Sequence, residues 1–283
     1  SVFLDHDQRY TASVGASYTF KNTNVYFDLL VGSGLRKGFA NANLAMPKDV
    51  QIDFPYYGDK LDQFTQQSNL PTPDTVVQKG PGKNLEFEQF RQSMLAEIQK
   101  NAKITDGEVE LEILNRKTFK EKGIQNWEWV QAIARALDRH LTEVSDFTIE
   151  AFLTDVYLYV TKPVVTEGIN KIVEEKLTDE PTLVIGHSLG SVVGYKIIMD
   201  NLGKLDLIKY ITVGSPLGLR AISSKLGVLE NPAVNGWYNA YDERDIVALN
   251  PLDNENFPTI PSIENNNRID NFTENRHGII GYL

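Results

Sequence analysis

One pentapeptide constrains this chain more than any other feature: Gly186-His187-Ser188-Leu189-Gly190, a G-x-S-x-G pattern. Before it stands Thr182-Leu183-Val184-Ile185, a short apolar run that reads as a strand buried on both faces. After it, Ser191 to Met199 reads as a helix that can pack through Val192, Val193, Tyr195, Ile198 and Met199. A chain that passes from strand to helix through one sharp turn brings the two backbones into close approach, so small residues are needed two positions either side of Ser188. The turn strains the Ser188 backbone and sets the helix N-terminus behind the hydroxyl, where its positive end favours developing negative charge. A structural glycine turn would need the glycines alone; the flanking strand and helix favour a nucleophile elbow.

A serine hydroxyl is a weak nucleophile and needs a base, itself oriented by an acid. On this kind of elbow the chain order is serine, acid, histidine. The four histidines are His6, His140, His187 and His277. Only His277, in Asn275-Arg276-His277-Gly278, lies beyond Ser188 with room for an acid between. His187 belongs to the elbow and is expected to line the site while pointing away from the base. A strand over Gly236–Tyr241 precedes Asp242, Glu243 and Asp245, so the acid is Asp242 or Asp245. The apolar run Leu207–Val213 is a further buried strand, ending in Gly214-Ser215-Pro216. Pro216 bars an elbow helix there, which makes Ser215 a turn residue lining the site. The backbone N–H of Leu189 is the readable oxyanion donor.

Composition narrows the classes. The chain has 283 residues, 41% of them hydrophobic, enough for a sizeable core and too apolar for a disordered chain. It has no cysteine, so disulfides, thiol catalysis and Cys-ligated metals are excluded. A net charge of −10 argues against a nucleic-acid partner, which calls for a basic stripe. No apolar run approaches the roughly 20 residues of a transmembrane helix, and the first residues lack the basic and apolar regions of a signal peptide.

Residues 10–32 alternate with period two: Ala12, Val14, Ala16, Tyr18 and Phe20, a turn at Lys21-Asn22-Thr23-Asn24, then Val25, Phe27, Leu29 and Val31. This predicts an N-terminal β-hairpin. Val50–Phe54 reads as a strand. Helical stripes follow at Phe87, Phe90, Met94, Leu95 and Ile98 and at Trp127, Val130, Ile133, Leu137 and Leu141, with an apolar stretch over Phe147–Val160 and a helix opened by Pro163. Residues 60–165 are expected to form a cap or lid.

Two resemblances arise from these residues. Residues 1–45, through Leu4-Asp5-His6-Asp7-Gln8-Arg9-Tyr10-Thr11 and Gly32-Ser33-Gly34-Leu35-Arg36-Lys37-Gly38-Phe39-Ala40-Asn41, resemble the C-terminal strands of TonB-type outer-membrane receptors. Two strands alone cannot close a barrel. Residues 46–283 resemble the α/β-hydrolase superfamily, and within it lipase-like bacterial serine hydrolases. The match runs through Phe54-Pro55-Tyr56-Tyr57-Gly58-Asp59, Gly186 to Gly190, Gly214-Ser215-Pro216, Asp242 to Val247 and His277 to Leu283. The resemblance implies a mostly parallel sheet flanked by helices, and a serine esterase with no metal or organic cofactor acting on small-molecule or lipid esters. Its D-x-V pattern favours Asp245, in Asp245-Ile246-Val247, as the acid, with Asp242 the runner-up. It also implies that the family's first strand and its His-Gly oxyanion loop are replaced by the hairpin, since the only His-Gly is His277-Gly278, and that a last helix is missing. A cytoplasmic place is favoured for the hydrolase-like part. The rival reading is a non-catalytic or weakly active fusion of a receptor piece with a hydrolase.

Overall fold

Among the described residues, six short strands lie side by side in one sheet: β1 (Thr11–Gly15), β2 (Gln51–Asp53), β3 (Thr182–His187), β4 (Leu207–Val213), β5 (Trp237–Ala240) and β6 (Glu264–Asn266). Their spatial order is β2-β1-β3-β4-β5-β6, and every neighbouring pair is parallel. The structure, a computed structural model, describes residues 11–15, 34–45, 51–68, 70, 84–114, 132–137, 149–233, 236–272 and 276–282. Parallel strands require crossovers, and apart from the β5–β6 connection these carry helices: α1 (34–41), α2 (Gly58–Gln67), α3 (Leu85–Asn101), α4 (Asp106–Leu114), α5 (132–137), α6 (Ile149–Thr161), α7 (Pro163–Glu174), α8 (Leu189–Asp200) and α9 (Arg220–Ser223). The molecule is thus an α/β protein with a parallel sheet flanked by helices. None of the described helices is long and apolar enough to cross a membrane.

The first strand differs from its expectation. Thr11–Gly15 does not belong to an edge hairpin: it sits inside the sheet, parallel to β2 with Thr11 beside Gln51, and parallel to β3 with Gly15 beside Gly186. β1 therefore has a strand on either side of it. Period-two alternation marks a strand without saying whether it pairs with its sequence neighbour or with a distant one. The hairpin's second strand lies outside the described residues. Residues 34–41, part of the barrel-like resemblance, form a helix.

The chain steps from β1 to β2 in one direction and from β3 to β6 in the other. The strand order therefore reverses between β1 and β3, and the carboxyl ends of strands at such a reversal frame a crevice suited to a ligand.

β6 reads Glu264-Asn265-Asn266 and carries no apolar signal; its place comes from a polar ladder. The Trp237 indole N–H donates to Thr212 Oγ1 at 3.0 Å, the Thr212 hydroxyl to Asn239 Oδ1 at 2.8 Å, and Asn239 Nδ2 to Asn265 Oδ1 at 2.9 Å. Trp237 is also the centre of the core under α8, with Tyr210 at 4.7 Å, Tyr195 at 5.6 Å and Phe257 at 5.5 Å between ring centroids.

Helices α3 and α6 pack together over this core. Tyr157 lies edge-on to Phe87 at 5.0 Å. Beside them the fully buried Arg91 directs its Nε to Glu150 at 3.0 and 2.7 Å, with Nη2 on the same carboxylate, while Nη1 reaches Glu88 at 3.4 Å. Removing one partner of a buried pair leaves the other charge desolvated. Arg91→Met is therefore expected to destabilise the fold by about 3–5 kcal/mol in urea unfolding, and pairing it with Glu150→Met should recover much of the loss.

Asp155 of α6 is partly buried near Asp62 of α2 and Tyr57. Burial, with Asp62 adding to it, pushes its carboxyl up to about 7. The unfolded carboxyl titrates near 3.9. The folded state therefore keeps a proton that the unfolded chain loses, and stability present below about pH 4 is lost as pH rises toward 7. Asp155→Asn removes this dependence. The unfolding free energy of the variant relative to the parent should climb between pH 4.5 and 7.5, and a difference flat with pH would overturn this account.

Candidate active site

Ser188 is where β3 ends and α8 begins, at φ 51° and ψ −131°. A left-handed backbone of this kind costs a residue with a side chain about 1–3 kcal/mol and persists only where its surroundings over-determine it. Here they do. A Cβ on Gly186 would stand 2.5 Å from Ser191 Cα and 2.9 Å from the Gly190 carbonyl oxygen. Both are backbone atoms, so only glycine permits the approach. The Ser191 amide and hydroxyl both donate to the Ser188 carbonyl, at 2.9 and 2.6 Å. With its proton so engaged, the Ser191 hydroxyl accepts from Ser215 Oγ at 2.7 Å, and Ser215 Oγ accepts from Leu217 N at 3.3 Å. The Tyr210 hydroxyl donates to the Ser191 carbonyl. Ser215, expected to line the site, thus braces the elbow from behind. Leu189 supplies the first amide of α8, one of those with no acceptor inside the helix.

His277 and Asp245 come to Ser188 from loops that follow β6 and β5. His277 Nε2 lies 2.7 Å from Ser188 Oγ. Its Nδ1 lies 2.9 and 2.8 Å from the two oxygens of Asp245. A carboxylate only accepts, so Nδ1 carries the proton and Nε2 is left to receive the one on Ser188. Asp245 Oδ1 also accepts from Val247 N at 3.0 Å, the physical content of the D-x-V spacing, and Oδ2 accepts from the Tyr282 hydroxyl at 2.7 Å. His277 and Asp245 are wholly buried and Ser188 is 2% exposed. Phe152 of α6 stands edge-on to the His277 ring, 6.4 Å between centroids.

His187 does not point away from the base. Its ring lies 4.8 Å from that of His277, and its Nε2–H donates to the His277 carbonyl at 2.7 Å. Burial, with the neighbouring His277 adding to it, pushes this imidazole well below its ordinary value, so it stays neutral and anchors the loop that carries His277. Asp242 is not joined to His277. Its carboxylate accepts from Arg244 N, Nε and Nη2 at 2.8, 2.9 and 2.7 Å and from Asn271 N at 2.7 Å. Although burial raises it, the Arg244 side chain and these amide bonds together hold it below the usual carboxylate range.

Sequence reasoning missed Tyr282, Asn271 and Phe152. Tyr282 stands in the quoted C-terminal segment, but a lone tyrosine has no spacing that marks it as the partner of an aspartate far upstream. The expectation of a single readable oxyanion donor concerns the segment after Gly15, which lies outside the described residues. Among the described residues no group of three or more His, Asp or Glu is arranged to hold a metal ion. Compared with protein-family models, with curated proteins and with solved structures, the chain matches none.

The elbow's dependence on Gly186 is directly testable. Gly186→Ala forces a methyl group into backbone and is expected to destabilise by about 3 kcal/mol or more, at the upper end of overpacking costs. Urea unfolding reads this; a loss below about 1 kcal/mol would mean that the close approach is absent.

Proposed function

We propose that the chain is a serine hydrolase of the α/β-hydrolase type that cleaves carboxylic esters through an acyl-enzyme. The observation that carries the reading is the continuous buried line from Ser188 Oγ through His277 to Asp245, with contacts of 2.7 and 2.8 Å. The sheet supports it: the serine sits at the strand-order reversal, and serine, acid and base follow in the chain order expected of this elbow.

In this mechanism Ser188 Oγ attacks the ester carbonyl carbon as its proton passes to His277 Nε2. The carbonyl oxygen becomes an oxyanion beside Leu189 N–H and the positive end of α8. Asp245, held by Val247 N and Tyr282, keeps the imidazole in the right tautomer and stabilises the imidazolium. The proton then goes to the leaving alkoxide as the ester C–O bond breaks, giving alcohol and acyl-Ser188. Water, deprotonated by His277, attacks the acyl-enzyme, and the returning proton restores Ser188. The near-complete burial of Ser188 means that an ester gains access only as covering residues part.

A fluorophosphonate probe reports an activated serine directly. Wild-type chain should label, and Ser188→Ala and His277→Ala should not. A parent that stays unlabelled would favour the rival reading of a non-catalytic receptor–hydrolase fusion. Among the acids, Asp245→Asn should lower kcat on a short nitrophenyl ester by up to about 10⁴-fold through the wrong imidazole tautomer. Asp242→Asn, which leaves that tautomer untouched, should cost far less. Equal losses would reverse the assignment of the acid.

A further inference from the structure

The loop bearing His277 is held at three consecutive carbonyls. Asn271 Nδ2 donates to the Arg276 carbonyl at 2.9 Å and to the Gly278 carbonyl at 2.8 Å, and His187 Nε2 donates to the carbonyl of His277 itself at 2.7 Å. We propose that Asn271 is a positioning residue for the reaction: by fixing the backbone on both sides of His277 it sets the direction in which the imidazole meets Ser188. This rests on the serine-hydrolase reading of the site.

The geometry leaves Asn271 little latitude. The residue is wholly buried. A side-chain amide has two N–H donors, and these two carbonyls accept both. A Cβ on Gly281 would fall 1.7 Å from Asn271 Oδ1, so the amide is packed against a position where only glycine fits. Its backbone N–H donates to Asp242 Oδ2 at 2.7 Å, and Asp242 is gripped in turn by Arg244. Arg276, next to the base, reaches Asp270 at 3.5 Å and the Asn271 carbonyl. Asp242, the rejected candidate for the acid, thus anchors the residue that holds the base.

The physical effect follows from the peptide plane. The Arg276 carbonyl lies in the plane before His277 Cα, and the His277 carbonyl in the plane after it. Two planes fixed in space determine the backbone dihedrals between them, and hence where Cβ and the ring project. A misplacement of about 1 Å at a reacting group costs on the order of 10²-fold in rate. His187 alone holds only one of the two planes.

The test uses the full chain and compares Asn271→Ala and Asn271→Ser with wild type. It measures kcat and KM on a short nitrophenyl ester, fluorophosphonate labelling rate, thermal midpoint, and the downfield proton NMR line of His277 Nδ1–H, assigned by its absence in His277→Ala. Loss of the clamp should lower kcat and the labelling rate by about 10- to 100-fold. KM should stay within about twofold, and the Nδ1–H line should move or broaden, which a merely structural residue would not bring about in a folded protein. Asn271→Ser, able to offer one donor, should retain more rate than Asn271→Ala. A folded Asn271→Ala with kcat within about twofold of wild type and an unmoved proton line would overturn the proposal. So would failure of both variants to fold, since the role would then be in folding. If wild type hydrolyses nothing and does not label, the hydrolase reading itself has failed; the Nδ1–H line, which needs no turnover, still reads whether Asn271 holds His277.

Discussion

The close approach of two backbones at Gly186 is the constraint on which the rest of the structure depends. Because Gly186 has no side chain, the first turn of α8 lies directly against the end of β3. Ser188 is thereby driven to positive φ, and its hydroxyl projects over the carboxyl ends of the strands. Several bonds resist relaxation of that strain: Ser191 to the Ser188 carbonyl, Ser215 to Ser191, and Tyr210 to the Ser191 carbonyl. The serine is therefore held at a fixed height above the sheet, and the loops after β5 and β6 meet it there.

Much of this was legible in the residues, and the limits of legibility have physical causes. β3 and β4 announce themselves as short, mainly apolar runs, and α8 as the apolar helical stretch that follows the elbow. Ser188 and His277 could be named because the elbow has a local signature and the histidines were few. Asp245 could not be separated from Asp242 by pattern alone, because both follow β5 within one turn; the family resemblance favoured Asp245, and three-dimensional contact pairs it with His277. β1 carried the right secondary structure and the wrong partner, since alternation specifies a pleat and not a neighbour. β6 was invisible because its place comes from the Thr212–Asn239–Asn265 ladder, a pairing of polar groups far apart in the chain. Asn271 was unreadable for a similar reason: its targets are backbone carbonyls, which every residue has.

The two aspartates show how surroundings divide labour between identical groups. Asp245 faces a ring nitrogen, a backbone amide and a phenol, an arrangement that leaves its charge directed at His277. Asp242 faces a guanidinium and two backbone amides, which satisfy its charge locally and turn it into a brace for the neighbouring loop. The region around α6 makes a similar contrast. Arg91 and Glu150 tie α6 to α3 by a compensated pair, while Asp155, on the same helix, is a carboxyl that the fold prefers protonated.

The interior position of β1 has a consequence for assembly. Thr11 lies beside Thr182, about 170 residues later, and beside Gln51 on its other flank. Until β3 has formed, β1 has no partner on that side, and without β1 the short β2 has no route into the sheet. The strand therefore acts as a keystone set late: closing so long a loop is entropically costly and slow, and until it closes the hydrogen-bonding edge of β3 stays open beside the serine. A chain damaged so as to lose those five residues would present that edge to any other extended segment, so the strand that completes the sheet also guards the molecule against pairing with its neighbours.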